Sequence, residues 1–359
     1  MKIIISFFIF CLVLFIYLHI QFHLKTSNDL EIYEIDDVSK EKLEEICDLR
    51  QPVILDYNNE KIVETTNTMF ILENYPAFEM KIRNINEPDA NNDLYVNLPL
   101  HASVKLFKED KNSTYFTENN SDFLNETGVI KNFKYNDEYL RPYMVSNLNY
   151  DIMLGSKDTH TPFRYELNYR NYFLCTEGYV YIKMAPPQSI KYLYPEYDYE
   201  NFEFRSPINP WKVQTRYAAD FEKMKCLEVP LTKGKMVYIP AYWWYSIKFI
   251  NDNTSISCFR YRTYVNNLAI SPYISMHILQ LQNIKRDVAK KISVDVLKNK
   301  DIEPDITSEQ NSSNNNLEIQ TTTTNINDLQ RESTDERKPE LIEEPKPIME
   351  YENFGAEIK

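Results

Sequence analysis

"GKMVYIPAYWWYSIKF" (Gly234–Phe249) is the stretch on which the reading of this chain turns. A glycine opens it, a β-branched and aromatic run follows, and after Pro240 four rings succeed one another within Tyr242–Tyr245. Three uses suit so many rings: a belt at a membrane interface, a platform for stacking bases, or one strand inside an aromatic core. Strand alternation puts Trp243, Tyr245 and Ile247 on one face and Tyr242, Trp244 and Ser246 on the other. A base platform wants flanking cations, and only Lys235 and Lys248 are near. The spacing favours core packing. A sugar- or peptide-binding groove is the alternative, because tryptophan faces serve such ligands well.

Outward from this stretch, Val53 to Tyr264 reads as short strands broken by Pro, Asn and Asp, among them "ASVKLF", "YFLCTEGYVYIKMAPP" and "TSISCFRYRTYV". That rhythm predicts a mainly β fold, a sandwich or barrel. "SKEKLEEICDLRQPVILDY" predicts a short helix capped by Ser39, then a buried strand. A stripe of Ile274, Ile278, Leu281, Ile284, Val288 and Ile292 predicts a C-terminal helix over 272–294. It would pack on the domain or pair two copies into a homodimer.

The two ends differ in kind. Ile3 to Ile20 is an almost unbroken apolar run without a small-residue cleavage site, which predicts an uncleaved transmembrane helix over 1–25. From Asp301 to Lys359 there are fifteen acidic and five basic side chains, which accounts for most of the net charge of -13. This segment, 300–359, is predicted to be a disordered acidic tail. The body before it is near neutral and has no basic face for a phosphate backbone, so nucleic acid is not an expected partner. With five glycines in 359 residues, no glycine-rich phosphate loop is present either.

Asn112, Asn119, Asn125, Asn253 and Asn311 each open an N-x-[ST] triplet, an expectation of glycosylation and of a lumenal or extracytosolic domain. Cys47, Cys175, Cys226 and Cys258 have no C-x-x-C spacing; the four would suffice for two disulfides in a lumen, with free buried thiols the favoured reading.

"TPFRYELNYRNYFLCTEGYVYIKMAPP" (from Thr161) and the opening stretch together resemble the JmjC-related, cupin-like hydroxylases. Their motifs run T-P-x-H-x-D, N-F and G-x-K, then G-D-x-x-x-I-P-x-x-W-W-H. "RQPVIL" and "YFTENNSDFL" look like the family's N-terminal part, so the resemblance covers roughly residues 32–264. It implies a double-stranded β-helix, the cupin jelly roll, spanning 31–265 with flanking helices. At its open end the family holds Fe(II) between two histidines and a carboxylate, with 2-oxoglutarate on the metal.

Residue by residue, the ligand positions fall on Arg164, Glu166 and Tyr245, and the cosubstrate positions on Thr161, Asn171 and Val180. Asn171 lies one residue later than the family's asparagine. An arginine is always protonated and offers donors only, so neither metal nor cosubstrate is expected. The resemblance then implies a catalytically inactive membrane-anchored module, either structural or binding a protein or glycan. Its three ligand positions would pair with one another in the emptied site, or else face solvent. Trp243 and Trp244 are its core or pocket aromatics.

Two alternatives stay open. One is an Fe(II)/2-oxoglutarate hydroxylase with atypical ligands, for instance His160 with Glu166 and Tyr245. The other is an enzyme of different chemistry, using Arg164 and Glu166 on an anionic substrate. Anchor, composition and degenerate domain together look like membrane proteins of large DNA viruses, which implies a lumenal or virion membrane.

Overall fold

The computed structural model describes residues 2–86 and 94–286. The acidic tail, the sequon at Asn311 and the part of the C-terminal helix expected beyond Arg286 lie outside the described residues.

Alternating apolar residues form two sheets. The larger runs β1 (Tyr33–Ile35), β2 (Val53–Asp56), β13 (Lys235–Ile239), β8 (Arg170–Glu177), β15 (Ser255–Thr263), β6 (Val145–Gly155), β5 (Tyr115–Thr117), β3 (Glu79–Asn84) and β4 (Val96–Pro99). The smaller runs β10 (Glu196–Asp198), β11 (Glu203–Ser206), β7 (Phe163–Tyr165), β14 (Trp244–Phe249), β9 (Tyr179–Ala185) and β12 (Leu227–Thr232). The β1–β2 pair is parallel, whereas β14 runs antiparallel to both its neighbours, β7 and β9.

Rings and aliphatic chains from both sheets meet in one cluster, with Phe173, Val237 and Ile256 from the larger and Ile182, Tyr245, Ile247 and Phe249 from the smaller. This is the jelly-roll interior, and burying it out of water supplies the main stabilising term. A second cluster on the outer face of β14 gathers Trp244, Phe163, Tyr165 and Phe204. The opening stretch is therefore buried on both faces, and that accounts for its unbroken run of rings. Gly178 makes the β8–β9 turn with φ +77, and a Cβ there would meet the Thr254 hydroxyl oxygen at 2.5 Å.

Helices α1 (Lys2–Leu24), α2 (Lys40–Cys47), α3 (Glu60–Thr65), α4 (Thr68–Asn74), α5 (Leu100–Glu109), α6 (Ser121–Glu126), α7 (Ile130–Asn136), α8 (Ala218–Phe221), α9 (Tyr264–Ala269) and α10 (Ser271–Arg286) complete the fold. Ser39 caps α2 by accepting from the Lys42 N–H. "ASVKLF" is a correction: it lies in α5, not in a strand. Its Val104 and Leu106 alternate, but Leu100, Ser103, Val104 and Phe107 bury one helical face, and the helical period prevails.

α1 is long and apolar enough to cross a membrane, and none of its residues is buried. Its last turn meets the domain. His23 Nε2 lies 3.1 Å from the Thr263 hydroxyl, the His23 ring stands 4.7 Å from Tyr169, and Arg50 lies over Phe22.

Candidate functional site

Arg164 on β7 and Tyr245 on β14 are directly opposed in the ladder, so sheet register alone brings two of the three ligand positions together. Glu166 follows β7 by one residue, two along from Arg164 and on the same side, and its carboxylate accepts the Tyr245 hydroxyl at 2.5 Å.

Arg164 and Glu166 do not pair with each other by hydrogen bonds, contrary to the expectation above. Arg164 Nη1 donates to Glu118 at 3.1 Å and to Glu203 at 2.9 Å, and Nη2 donates to the other Glu118 oxygen. Arg83 Nη1 reaches the same two carboxylates at 2.9 Å each, and its Nη2 reaches Glu203 at 3.0 Å. The result is a quartet of two arginines and two glutamates, each nine-tenths buried, with Arg205 Nη1 a further 3.7 Å from Glu203 and the Tyr95 hydroxyl donating to Glu118 at 3.1 Å. β3 and the end of β5 supply Arg83 and Glu118 from the larger sheet. β7 and β11 supply Arg164 and Glu203 from the smaller, so the quartet bolts the sheets together at the barrel mouth.

Glu166 belongs to a second group. Arg260 on β15 donates through Nε to Glu166 at 3.1 Å and lies 3.4 Å, through Nη1, from Asp151 on β6. Asp151 also accepts the Asn119 and Asn120 N–H groups at 2.9 and 2.7 Å. Asn168 donates to Glu166 at 2.7 Å.

Electrostatics follow from burial against these partners. Burial pushes the Glu118 carboxyl up, but Arg164 and Arg83 outweigh it and bring it down to about 2. Glu166 likewise sits below its usual range, with burial outweighed by Arg260, the Tyr245 hydroxyl and Arg164. Burial and then the Glu166 charge push the Tyr245 phenol well up, so it is a protonated donor at neutral pH. Burial pushes the Asp151 carboxyl up, with Arg260 and the two N–H groups opposing.

This donor set does not fit a ferrous ion. Arg164 presents N–H groups and no lone pair, Tyr245 keeps its proton, and Glu166 is engaged by Tyr245, Arg260 and Asn168. His160 is held elsewhere, with Nε2 2.8 Å from the Asn209 amide and Nδ1 3.1 Å from the Thr161 carbonyl. No group of three His, Cys, Asp or Glu is placed to hold a metal among the described residues.

The three cosubstrate positions do not meet around a common space. The Thr161 hydroxyl accepts the Ile247 N–H at 3.0 Å, Asn171 bonds to Asn168 and the Ile239 carbonyl, and Val180 lies in the apolar cluster. Trp243 and Trp244 are fully buried, the first donating its indole N–H to the Arg50 carbonyl at 3.1 Å. The sequon asparagines Asn112, Asn119, Asn125 and Asn253 are exposed.

Beside the two charge groups a polar cavity of about 680 Å³ remains. Arg164, Glu166, Glu203, Arg260 and Arg262 carry its charges, Asn147, Asn149 and Asn168 contribute amides, and His277 of α10 stands on its wall. Sequence reasoning found Arg164 and Glu166 but missed Arg83, Glu118, Asp151, Glu203, Arg260 and Arg262. Arg260 and Arg262 carried a signal, being two charges at same-face spacing within the otherwise apolar "CFRYRTY". Glu118 lies inside "YFTENNSDFL", a polar stretch in which no spacing sets it apart.

The cupin-like domain family matches residues 34–265. Among curated proteins, JmjC domain-containing protein D of Dictyostelium discoideum is 29% identical over 111 residues, 31% of this chain and 24% of that protein. HSPB1-associated protein 1 is 26% identical over 104 residues in Bos taurus, 29% of this chain and 22% of that protein, and 26% identical over 104 residues in Homo sapiens, 29% and 21%. The match thus spans about a quarter of the length of these relatives.

Proposed function

Because the chain belongs to the cupin-like domain family and its relatives include JmjC domain-containing proteins, we propose that it is a non-catalytic member, a membrane-anchored binding module built on a hydroxylase-type fold. One observation carries the reading. At the position of the first metal-binding histidine stands Arg164, held by Glu118 and Glu203, and at the second stands Tyr245, which donates to the remaining carboxylate, Glu166. Arginine-carboxylate bonds take the place of metal-ligand bonds, and the barrel mouth keeps its shape without an ion. Beside it the cavity survives as a polar recess large enough for a ligand.

On this reading α1 anchors the module, and the exposed sequons suit a domain on a lumenal, extracellular or virion membrane. The test is metal analysis of the purified full-length chain together with 2-oxoglutarate turnover. Substoichiometric iron that chelator removes without loss of thermal stability, and no decarboxylation above buffer, is the expected result. Stoichiometric iron, or turnover abolished by Glu166→Gln, overturns the reading.

A further inference from the structure

The arginines on the cavity wall are not equivalent. Arg164 has Glu118 and Glu203, and Arg260 has Glu166 and Asp151. Arg262 has no carboxylate within ion-pair reach among the described residues. The one side-chain hydrogen bond of Arg262 among the described residues runs from Nε to the Asn168 side-chain oxygen at 2.6 Å, and its guanidinium lies 5.1 Å from the Phe202 ring centre. Burial pulls its pKa down and Glu166 offsets this only in part, a sign that the folded protein leaves this charge under-compensated. A half-buried cation without a counter-charge is costly to keep.

Arg262 is anchored through Nε, so both amino groups are left to form a planar fork of the kind that grips two oxygens at once. Around it the wall is rich in neutral amides. Asn147 and Asn149, two apart on β6, both line the cavity and are exposed, and Asn267 of α9 lines it too.

We propose that Arg262 is the anion-binding residue of this cavity and takes an oxyanion, a phosphate or carboxylate group, of a polar ligand. The proposal rests on the reading of the cavity as a ligand site. It does not reuse the inherited cosubstrate positions, since Val180 is sealed in the apolar cluster. Location admits two sources. The residue after Arg262, Thr263, meets His23 in the last turn of α1, and Tyr165 lines both this cavity and a groove bounded by Leu24 and Thr26. Two residues of the cavity wall, Arg262 and Tyr165, thus adjoin groups that meet the end of the apolar helix, so a phosphate headgroup and a free anion are both candidate sources.

The test uses the full-length chain in neutral detergent micelles, titrated with sodium phosphate at constant ionic strength, and separately in micelles doped with phosphatidic acid or with phosphatidylcholine. A saturable rise in thermal midpoint is expected with phosphate or phosphatidic acid and not with phosphatidylcholine. Arg262→Gln weakens the apparent affinity at least about tenfold, the loss of one charge-assisted contact. Arg262→Lys keeps part of it, and the exposed Arg216→Gln keeps all of it. A larger response to phosphatidic acid than to phosphate supports a headgroup source, and the converse a soluble one.

No saturable response from the wild type, or an unchanged response from Arg262→Gln, overturns the proposal. Iron content on the same preparation separates the two readings. Stoichiometric iron removes the ligand-site reading, whereas an iron-free protein deaf to both anions removes only the role of Arg262.

Discussion

Arg164 and Arg262 line the same cavity, yet the first is locked among carboxylates and the second is left with an amide and a ring. The difference lies in counter-charge, not in residue type. In the quartet Arg83 and Arg164 each face two carboxylates, Glu118 faces both of them, and Glu203 faces both and Arg205 besides, so desolvation is offset and the group acts as structure. At Arg262 desolvation is offset only in part, so the residue gains from whatever anion enters. On the proposed reading, Arg164 substitutes for a metal, while Arg262, further along the wall, is a means of binding.

The largest effect expected is on the quartet. Arg164→Ala leaves Glu118 with Arg83 as its one arginine and Glu203 with Arg83 and Arg205, and should cost about 3 to 5 kcal/mol of unfolding free energy, read by urea denaturation. A loss near zero would mean that the quartet does not hold the sheets. Acid should act on the same group. With the Glu118 carboxyl at about 2 in the fold against 4.5 unperturbed, its stabilisation is complete above about pH 4.5 and is lost as pH falls toward about 2. Unfolding followed across that window should lose this acid dependence in Glu118→Gln, whose amide has no such proton to take up.

Tyr245→Phe removes one hydrogen bond to a charged acceptor and should cost about 2 kcal/mol, without iron uptake, because Arg260 still holds Glu166. The smallest effect on stability belongs to Arg262→Gln, within about 0.5 kcal/mol of wild type in the absence of ligand. A loss as large as that of Arg164→Ala would erase the distinction between the two arginines.

Much of this was legible in the residues themselves. The glycine turn, the proline and the tryptophan pair in Gly234–Phe249 announced the barrel strand, and the resemblance singled out Arg164, Glu166 and Tyr245, of which the fold sets Arg164 opposite Tyr245 and joins Tyr245 to Glu166. α5 reads as a strand because its buried Ala102, Val104 and Leu106 also stand at strand spacing, and the burial of a helical face is settled only by what packs on it. The quartet was not legible, since its members at 83, 118, 164 and 203 come from four strands or strand ends with no local pattern linking them.

By itself the sequence determined which side chains are present: a guanidinium and a phenol at the positions where the family resemblance leads one to expect histidines, and an apolar helix ahead of the domain. Local alternation sufficed for the faces of β14, because side-chain direction in a strand is a property of neighbouring residues. Only the tertiary structure decided which charges meet. Ion pairing depends on distances of a few ångströms between segments far apart in the chain, and those distances exist only once both sheets have closed. The same closure divided the arginines, locking Arg164 to Glu118 and Glu203 and leaving Arg262 to face the cavity.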